Sequence, residues 1–148
     1  MSGPFRHQAQ ARWGDMDFNG HMANVAYLNF GADSRLAYFL SRGFSLREFE
    51  RLHFGPVVFK DELSYFKEIR LMEPVEVTLA CAGLSPDGGR FSLRNEFFNG
   101  QGDRCATLLT SGAWLDLEVR KLLAPPPALV EAMRAMPRTG DYAELAGR

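Results

Sequence analysis

Residues 13–41 read WGDMDFNGHMANVAYLNFGADSRLAYFLS, and this part of the chain carries most of the information about its architecture. As far as His21 it is dense in Asp, Asn and Gly, which is typical of a loop. After that point apolar residues recur at helical spacing, which predicts one long helix over residues 22–41. Its apolar stripe is formed by Val25, Leu28, Ala32, Leu36, Phe39 and Leu40 and is widened by Ala26, Phe30 and Ala37. So broad a stripe predicts a helix that another layer covers almost completely.

Most of the remaining chain is predicted to form strands. A first strand is expected over residues 5–13, and Ser45-Leu46-Arg47-Glu48 has the spacing of a capping box that opens a short helix over residues 45–53. Beyond Gly55-Pro56 the predicted strands are residues 57–70, 75–84, 90–99 and 104–119. Pro86-Asp87-Gly88-Gly89 and Gly100-Gln101-Gly102-Asp103 predict tight turns. A terminal helix over residues 128–136 and a polar, loose tail at residues 137–148 complete the prediction.

Strands that follow one another through tight turns form an antiparallel sheet. A sheet and one long helix with a broad apolar face combine most simply when the sheet curls around the helix. The sequence therefore predicts an α+β fold, an antiparallel sheet wrapped around one long central helix. A chain of 148 residues fits a single domain, with its core over about residues 5–120 and no internal repeat.

Composition excludes several classes of partner. The formal net charge is −1 without a basic run, which argues against nucleic acid or a membrane surface as partner. No apolar run approaches the roughly 20 residues that cross a bilayer, and the first residues lack the pattern of a signal peptide. Cys81 and Cys105 lie far apart in strand-like stretches, which predicts two buried free thiols. We expect a cytoplasmic protein without a membrane span that needs neither a cofactor nor a metal.

Polar groups gather in residues 15–24, directly before the long helix. Free backbone N–H groups and the helix dipole favour negative charge at a helix start. A carboxylate beside donors that hold an oxyanion is what acyl transfer from a thioester requires. Simpler roles stay open: Asp17 or Asn19 as an Asx-turn or capping residue, His21 as a structural hydrogen-bonding group, and Asn24 as a cap.

The segment Trp13-Gly14-Asp15-Met16-Asp17-Phe18-Asn19-Gly20-His21-Met22-Ala23-Asn24, with Tyr27 one helical turn later, resembles the signature of the 4-hydroxybenzoyl-CoA thioesterase group of hotdog-fold proteins. The resemblance implies a hotdog fold and hydrolysis of a thioester. It implies that Asp17 is the catalytic carboxylate, either as nucleophile or as general base on water. It also implies that the backbone N–H of Asn24 polarises the thioester carbonyl, with Asn19 and His21 orienting the water or the leaving group.

A second resemblance is to plant-type acyl-carrier-protein thioesterases, whose Asp-x-Asn-x-His pattern is met by Asp17, Asn19 and His21. The later Glu of that group would fall near Glu68, for which a solvated strand-edge charge is the alternative. The chain departs from the first group in two places: Ala23 replaces the first of two paired Asn residues, and His21 replaces an apolar residue. An aromatic substrate is therefore not implied.

The resemblance also implies the partners. The substrate would be an acyl-CoA or acyl-carrier thioester, bound between the subunits of a homodimer or homotetramer. Residues expected along the acyl chain are Val57, Val58, Phe59 and Tyr65, and Tyr27 and Glu68 are further expected substrate-binding residues. Cations available for CoA phosphates, unless they are ordinary surface charges, are Arg12, Lys60, Lys67 and Arg70.

Two other functions remain as alternatives. An enoyl-CoA hydratase or dehydratase of the same fold would use a longer, Pro-containing Asp-to-His loop than Asp17 to His21. A non-catalytic acyl-CoA binding module would retain ligand without turnover.

Overall fold

The computed structural model describes residues 3–147. Its helices are α1 (Asn24–Ser41), α2 (Leu46–Leu52) and α3 (Pro127–Ala135). Its strands are β1 (Phe5–Gln10), β2 (Phe54–Tyr65), β3 (Pro74–Leu84), β4 (Arg90–Phe98), β5 (Arg104–Asp116) and β6 (Lys121–Leu122). A short 3₁₀ turn at Trp13–Asp15 precedes α1.

The strands form one antiparallel sheet in the order β1-β3-β4-β5-β2, and the short β6 adds to β5. This sheet curls around α1, which packs against β1, β3 and β5. The predicted α+β architecture is therefore confirmed. The order also places β2 beside β5 and leaves the other edge of β2 without a strand partner among residues 3–147.

Three predicted strands extended beyond their observed ends. The strand predicted over residues 57–70 ends at Tyr65, because the N–H groups of Phe66 and Lys67 both donate to the Cys105 carbonyl, at 2.8 and 3.2 Å, and close the ladder. The strand predicted to reach residue 119 ends at Asp116, whose Oδ1 accepts the N–H groups of Glu118 and Val119 in a turn. The first strand ends at Gln10 rather than at residue 13.

The buried face of α1 differs from the predicted stripe. Its buried residues are Ala26, Tyr27, Phe30, Gly31, Ser34, Tyr38 and Phe39. Val25, Leu36 and Leu40 are 58%, 37% and 51% exposed. The prediction was wrong here because Gly31 and Ser34 allow a close approach to the sheet, and Tyr27 and Tyr38 bury large rings. An apolar line on α1 therefore remains uncovered by the sheet.

A buried polar network divides the core into two apolar clusters. The side-chain amide of Asn95 donates to the Ser34 hydroxyl at 2.9 Å and to the Thr78 carbonyl at 2.8 Å. One cluster lies around the start of α1 and includes Tyr27 and Phe97; the other lies around its end and includes Trp114. Both cysteines are free and buried, as predicted.

The segment after α3 is held in place where the sequence predicted a loose tail. The N–H groups of Thr139, Ala143 and Leu145 donate to carbonyls of β3 at 2.9–3.1 Å. Strand β1 pairs with β3 only as far as Leu79, so the edge of β3 beyond that residue would otherwise be unpaired. Unpaired main-chain groups are costly to bury, and this explains why a polar segment is ordered here.

Candidate active site

The loop before α1 is a small hairpin fixed at several points. Met16 pairs with Met22, and the Met22 N–H donates to the Ile69 carbonyl at 2.7 Å. Asp15 is 7% exposed, and its carboxylate accepts three hydrogen bonds from Arg12, at 2.9, 2.9 and 3.1 Å. The hydrogen bonds from Arg12 hold the pKa of Asp15 below its usual value. Asp15 thus anchors the loop rather than facing a substrate.

Asp17 lies at the tip of this hairpin with an exposed carboxylate. Its Oδ1 accepts the N–H groups of Asn19 at 2.8 Å and of His21 at 3.1 Å, which is an Asx-turn arrangement. These hydrogen bonds, that of His21 above all, lower the pKa of Asp17 and keep it ionised at neutral pH. Because both hydrogen bonds go to Oδ1, Oδ2 is the oxygen left for chemistry.

The start of α1 offers fewer donors than the sequence predicted. The Met22 and Ala23 N–H groups are already used, by the Ile69 and Asp15 carbonyls, each at 2.7 Å. The N–H of Asn24 begins the helix and has no acceptor within it. Of the N–H groups at residues 22–24, that of Asn24 is therefore the remaining candidate for the oxyanion donor.

Tyr27, Tyr65 and Glu68 lie near the loop. The Tyr27 ring is 2% exposed and packs edge-to-face on Tyr65, with the ring centres 5.4 Å apart. Burial raises the pKa of Tyr27, and the negative charges of Asp17 and Glu68 add to this effect. The pKa of Glu68 is lowered by its own backbone N–H and by the nearby His21. One cluster at the start of α1 thus contains all of these groups.

A cavity of about 530 Å³ opens beside the second half of α1, between that helix, α2, the start of β2 and the sheet. Apolar residues form most of its wall, among them Phe39, Leu93, Trp114 and Val58. No residue of 15–24 lines it. The cavity and the loop cluster therefore share no lining residue, and the cavity lies toward the far end of α1.

The predicted acyl-contact residues of β2 lie in three different positions. Val58 pairs with Gly112, faces α1 and lines the cavity, as an acyl contact requires. Val57 pairs with Ala113, so it faces the opposite side of the sheet. Phe59 lies at the β-bulge and contacts Arg90.

The four cations proposed for CoA phosphates all have carboxylate partners within the chain. The pairs are Arg12–Asp15, Lys60–Glu62, Lys67–Asp103 and Arg70–Glu68. Except for Asp15, the carboxylates are at least 44% exposed, so phosphate groups can compete for their cations.

Sequence reasoning missed Arg35 and Asn95, whose polar atoms both lie beside Gly31 of α1. Arg35 lines the cavity, and its Nη1 is buried without a hydrogen-bond partner among residues 3–147. Burial lowers the pKa of Arg35, against the opposing effect of Asp61. Neither residue belongs to a local motif, and 59 other residues separate them in the chain, so only the fold reveals their proximity.

Within residues 3–147, no group of three or more His, Cys, Asp or Glu side chains is arranged to hold a metal ion. No helix in the same range is long and apolar enough to cross a membrane.

An antiparallel sheet curled around one helix, with a carboxylate loop at that helix's start, defines the class of hotdog-fold thioesterases. The family model of the thioesterase-like superfamily matches residues 11–133. The chain belongs to this family, as the sequence predicted.

Solved structures with the same fold include three from two bacteria. A hypothetical Staphylococcus aureus protein in complex with CoA has a TM-score of 0.81 and 21% identity, over 94% of this chain and 89% of that one. A DHNA-CoA thioesterase from Staphylococcus aureus has a TM-score of 0.79 and 23% identity, over 87% of each chain. A 1,4-dihydroxy-2-naphthoyl-CoA thioesterase from Synechocystis has a TM-score of 0.79 and 18% identity, over 90% of this chain and 97% of that one. No curated protein sequence matches the chain at a significant level.

Proposed function

We propose that the protein hydrolyses acyl-CoA thioesters and that Asp17 is its catalytic carboxylate. The observation that carries this proposal is the arrangement of the Asp17 carboxylate: Oδ1 accepts two backbone N–H groups, and the residue is exposed at the tip of the loop. The site lies at the start of α1, where the Asn24 N–H is free to bind a carbonyl oxygen. CoA as the thiol carrier is supported by the Staphylococcus aureus relative that binds CoA.

In the proposed reaction Oδ2 of Asp17 attacks the thioester carbonyl carbon. The carbonyl oxygen becomes negative and accepts a hydrogen bond from the Asn24 N–H, while Asn19 and His21 border the leaving group. The C–S bond then breaks with its electron pair on sulfur, which leaves a mixed anhydride and the CoA thiolate. One water hydrolyses the anhydride to the free acid and the Asp17 carboxyl group, and the proton that this carboxyl group gives up ends on the thiolate, which restores the Asp17 carboxylate.

Asp17 has the charge that either catalytic role requires. The backbone hydrogen bonds from His21 and Asn19 lower its pKa, which keeps the carboxylate ionised at neutral pH. A lowered pKa weakens a carboxylate both as a general base and as a nucleophile. The choice between attack and general-base catalysis therefore depends on whether an acyl adduct forms on Asp17.

Asp17→Asn tests the proposal, because the amide oxygen can still accept both backbone hydrogen bonds and so preserve the loop. We expect kcat for acyl-CoA hydrolysis, followed by thiol release, to fall about a thousandfold or more. The matched control is Asp116→Asn. Asp116 also accepts two backbone N–H groups, at 2.9 and 3.1 Å, but in the turn after β5. The control should retain activity.

Binding, hydration and trapping measurements on the same proteins distinguish the alternative functions. Acyl-CoA binding without turnover by the wild-type protein would establish a binding module. Hydration of enoyl-CoA that depends on Asp17 would establish a hydratase. An acyl adduct on the peptide containing Asp17, trapped when enzyme exceeds substrate, would identify the nucleophile; its absence with intact turnover would assign Asp17 as general base.

We further propose that the protein is a homodimer or homotetramer of the cytoplasm. Two surfaces support this: one edge of β2 has no strand partner among residues 3–147, and Val25, Leu36 and Leu40 of α1 are exposed apolar side chains. Two free thiols, Cys81 and Cys105, agree with a reducing compartment.

A further inference from the structure

The guanidinium of Arg35 is a half-buried cation without an anion of its own. Among residues 3–147 it forms no ion pair and no hydrogen bond. By contrast, Arg12, Arg51 and Arg94 each form an ion pair with a carboxylate. A charge that is removed from water is costly unless it is paired, and burial lowers the pKa of Arg35. The side chain therefore lacks one anionic partner.

The nitrogen atoms of Arg35 that a ligand can reach are Nε and Nη2. Nη1 is fully buried beside Gly31, 3.7 Å from a Cβ placed there. The other two nitrogens are not enclosed in this way, and Arg35 forms part of the wall of the apolar cavity. Two adjacent N–H groups of a guanidinium can bind both oxygens of one carboxylate. The cavity thus has an anion-binding group in a wall that is otherwise mostly apolar.

Two acidic residues near Arg35 leave this position to a ligand. The charge of Asp61 raises the pKa of the guanidinium, but Oδ1 of Asp61 accepts the Thr110 hydroxyl at 2.7 Å and the residue is exposed. Glu50 lines the cavity and is also exposed, on α2, so water and salt screen its charge. Neither carboxylate therefore takes the place of a bound anion.

The remainder of the cavity suits an alkyl chain. Its volume of about 530 Å³ lies within the usual range for small-ligand sites. Phe39, Phe49 and Trp114 form an aromatic wall, in which the rings of Phe49 and Trp114 are stacked with their centres 6.1 Å apart. Along α1 the wall runs from Ala32 to Phe39, a length of about 10 Å. A chain of medium length fills this space.

The cavity lies apart from the candidate active site. No residue of 15–24 lines it, and Ala32, the first residue of α1 that does, follows Asn24 by eight positions. This is about 12 Å along the helix axis. Between the two positions α1 lies close against the sheet, since a Cβ on Gly31 would be 2.7 Å from Leu108. The two sites can therefore hold separate molecules.

We infer that the cavity is a second binding site, for a free medium-chain carboxylic acid whose carboxylate binds Arg35 and whose alkyl chain lies against the aromatic wall. A free acid is also the class of product that the proposed hydrolysis releases, so the protein would bind this product away from Asp17. The inference does not depend on the proposed function, because binding is measured without turnover.

Decanoate and decanol share an alkyl chain and differ in charge, so their binding tests the role of Arg35. Trp13→Phe leaves Trp114, in the cavity wall, as the only tryptophan of the full chain, and its fluorescence then reports occupancy. Calorimetry on the wild-type protein gives the stoichiometry. We expect one decanoate per chain, bound about tenfold or more tighter than decanol, and no detectable binding of acetate.

Three variants locate the site. Arg35→Met removes the cation and keeps the apolar stem, so the preference for decanoate should fall to about unity while decanol still binds. The matched control is Arg42→Met, at the end of α1 and outside the cavity, which should keep the preference. Val58→Phe fills space at an exposed part of the wall and should weaken the binding of both ligands. Thermal unfolding of each variant shows whether the fold is retained.

A non-hydrolysable thioether, S-decyl-CoA, tests whether the cavity is separate from the active site. Its Kd should be the same for the free protein and for the protein saturated with decanoate. Asp17→Asn should bind decanoate as tightly as wild type does.

Failure to bind decanoate, or a preference that survives Arg35→Met, would overturn the inference. Mutual displacement of decanoate and S-decyl-CoA would also overturn it, because the cavity would then hold the acyl group of the substrate. No decanoate binding, together with a weaker dimer for Val58→Phe in sedimentation, would assign the cavity to a contact between two copies of the chain. Absence of thioester hydrolysis would refute the proposed function alone and leave the binding results unchanged.

Discussion

Gly31→Ala tests how closely α1 lies against the sheet. The added Cβ would be 2.7 Å from Cδ2 of Leu108 and 3.0 Å from Oδ1 of Asn95, whereas carbon atoms are at their optimum at about 3.5–4.0 Å. Leu108 is 1% exposed and Asn95 is held by two hydrogen bonds, so neither can move away freely. Overpacking of this kind costs about 1–3 kcal/mol.

The helix propensity of Ala offsets about 1 kcal/mol of that cost. Because neither neighbour can move away freely, we expect the overpacking cost to lie in the upper part of its range, at about 2–3 kcal/mol. The net loss is then about 1–2 kcal/mol, equivalent to a fall in Tm of about 3–6 °C for a chain of this length. The assay is thermal unfolding at fixed protein concentration, since association would itself shift Tm. Gly14→Ala is the control, because nothing lies within 4 Å of its added Cβ. A Gly31→Ala variant as stable as wild type would refute the close-packing argument.

Two further predictions concern the loop and the exposed apolar line on α1. Asp15→Asn should lower the free energy of unfolding by about 1 kcal/mol at neutral pH, since Arg12 is itself largely exposed. Because the folded-state pKa of Asp15 is lowered, its contribution to the free energy of unfolding is present above the unfolded pKa of about 4 and disappears as pH falls through the folded value. The free energies of unfolding of wild type and Asp15→Asn, measured with urea, should therefore converge in acid. A difference that stays constant with pH would contradict this origin. Leu40→Glu should weaken self-association in sedimentation experiments, whereas Arg47→Glu, on exposed α2, should not; equal behaviour would exclude this line of α1 from the interface.

Local patterns predicted the elements and the position of the loop, but not how the strands are ordered. The turns around Pro86 and Gly100 have strong local signals, and they correctly join β3, β4 and β5. Nothing local states that β2 lies beside β5, since that pairing joins segments far apart in the chain. The unpaired edge of β2 follows from this strand order, so local sequence patterns did not predict it either.

The buried side of α1 was misread for a physical reason. A count of apolar residues treats Gly31 and Ser34 as polar positions, although small residues are what bring a helix close to a sheet. The same limit applies to the site. Asp17 lies in a loop whose geometry is local, so its neighbourhood was predictable, whereas the proximity of Arg35 and Asn95 depends on the helix-to-sheet distance.

The segment at residues 137–145 has a consequence for how this chain can vary. Its hydrogen bonds to β3 are made by main-chain atoms, so most side-chain exchanges leave them intact. Removal of a single residue would instead set each following donor opposite the wrong acceptor. Gly83 of β3 is the exception to this tolerance, because a Cβ there would lie 2.7 Å from the Ala143 carbonyl oxygen. Relatives that keep this segment should therefore conserve its length and the facing glycine while its sequence drifts.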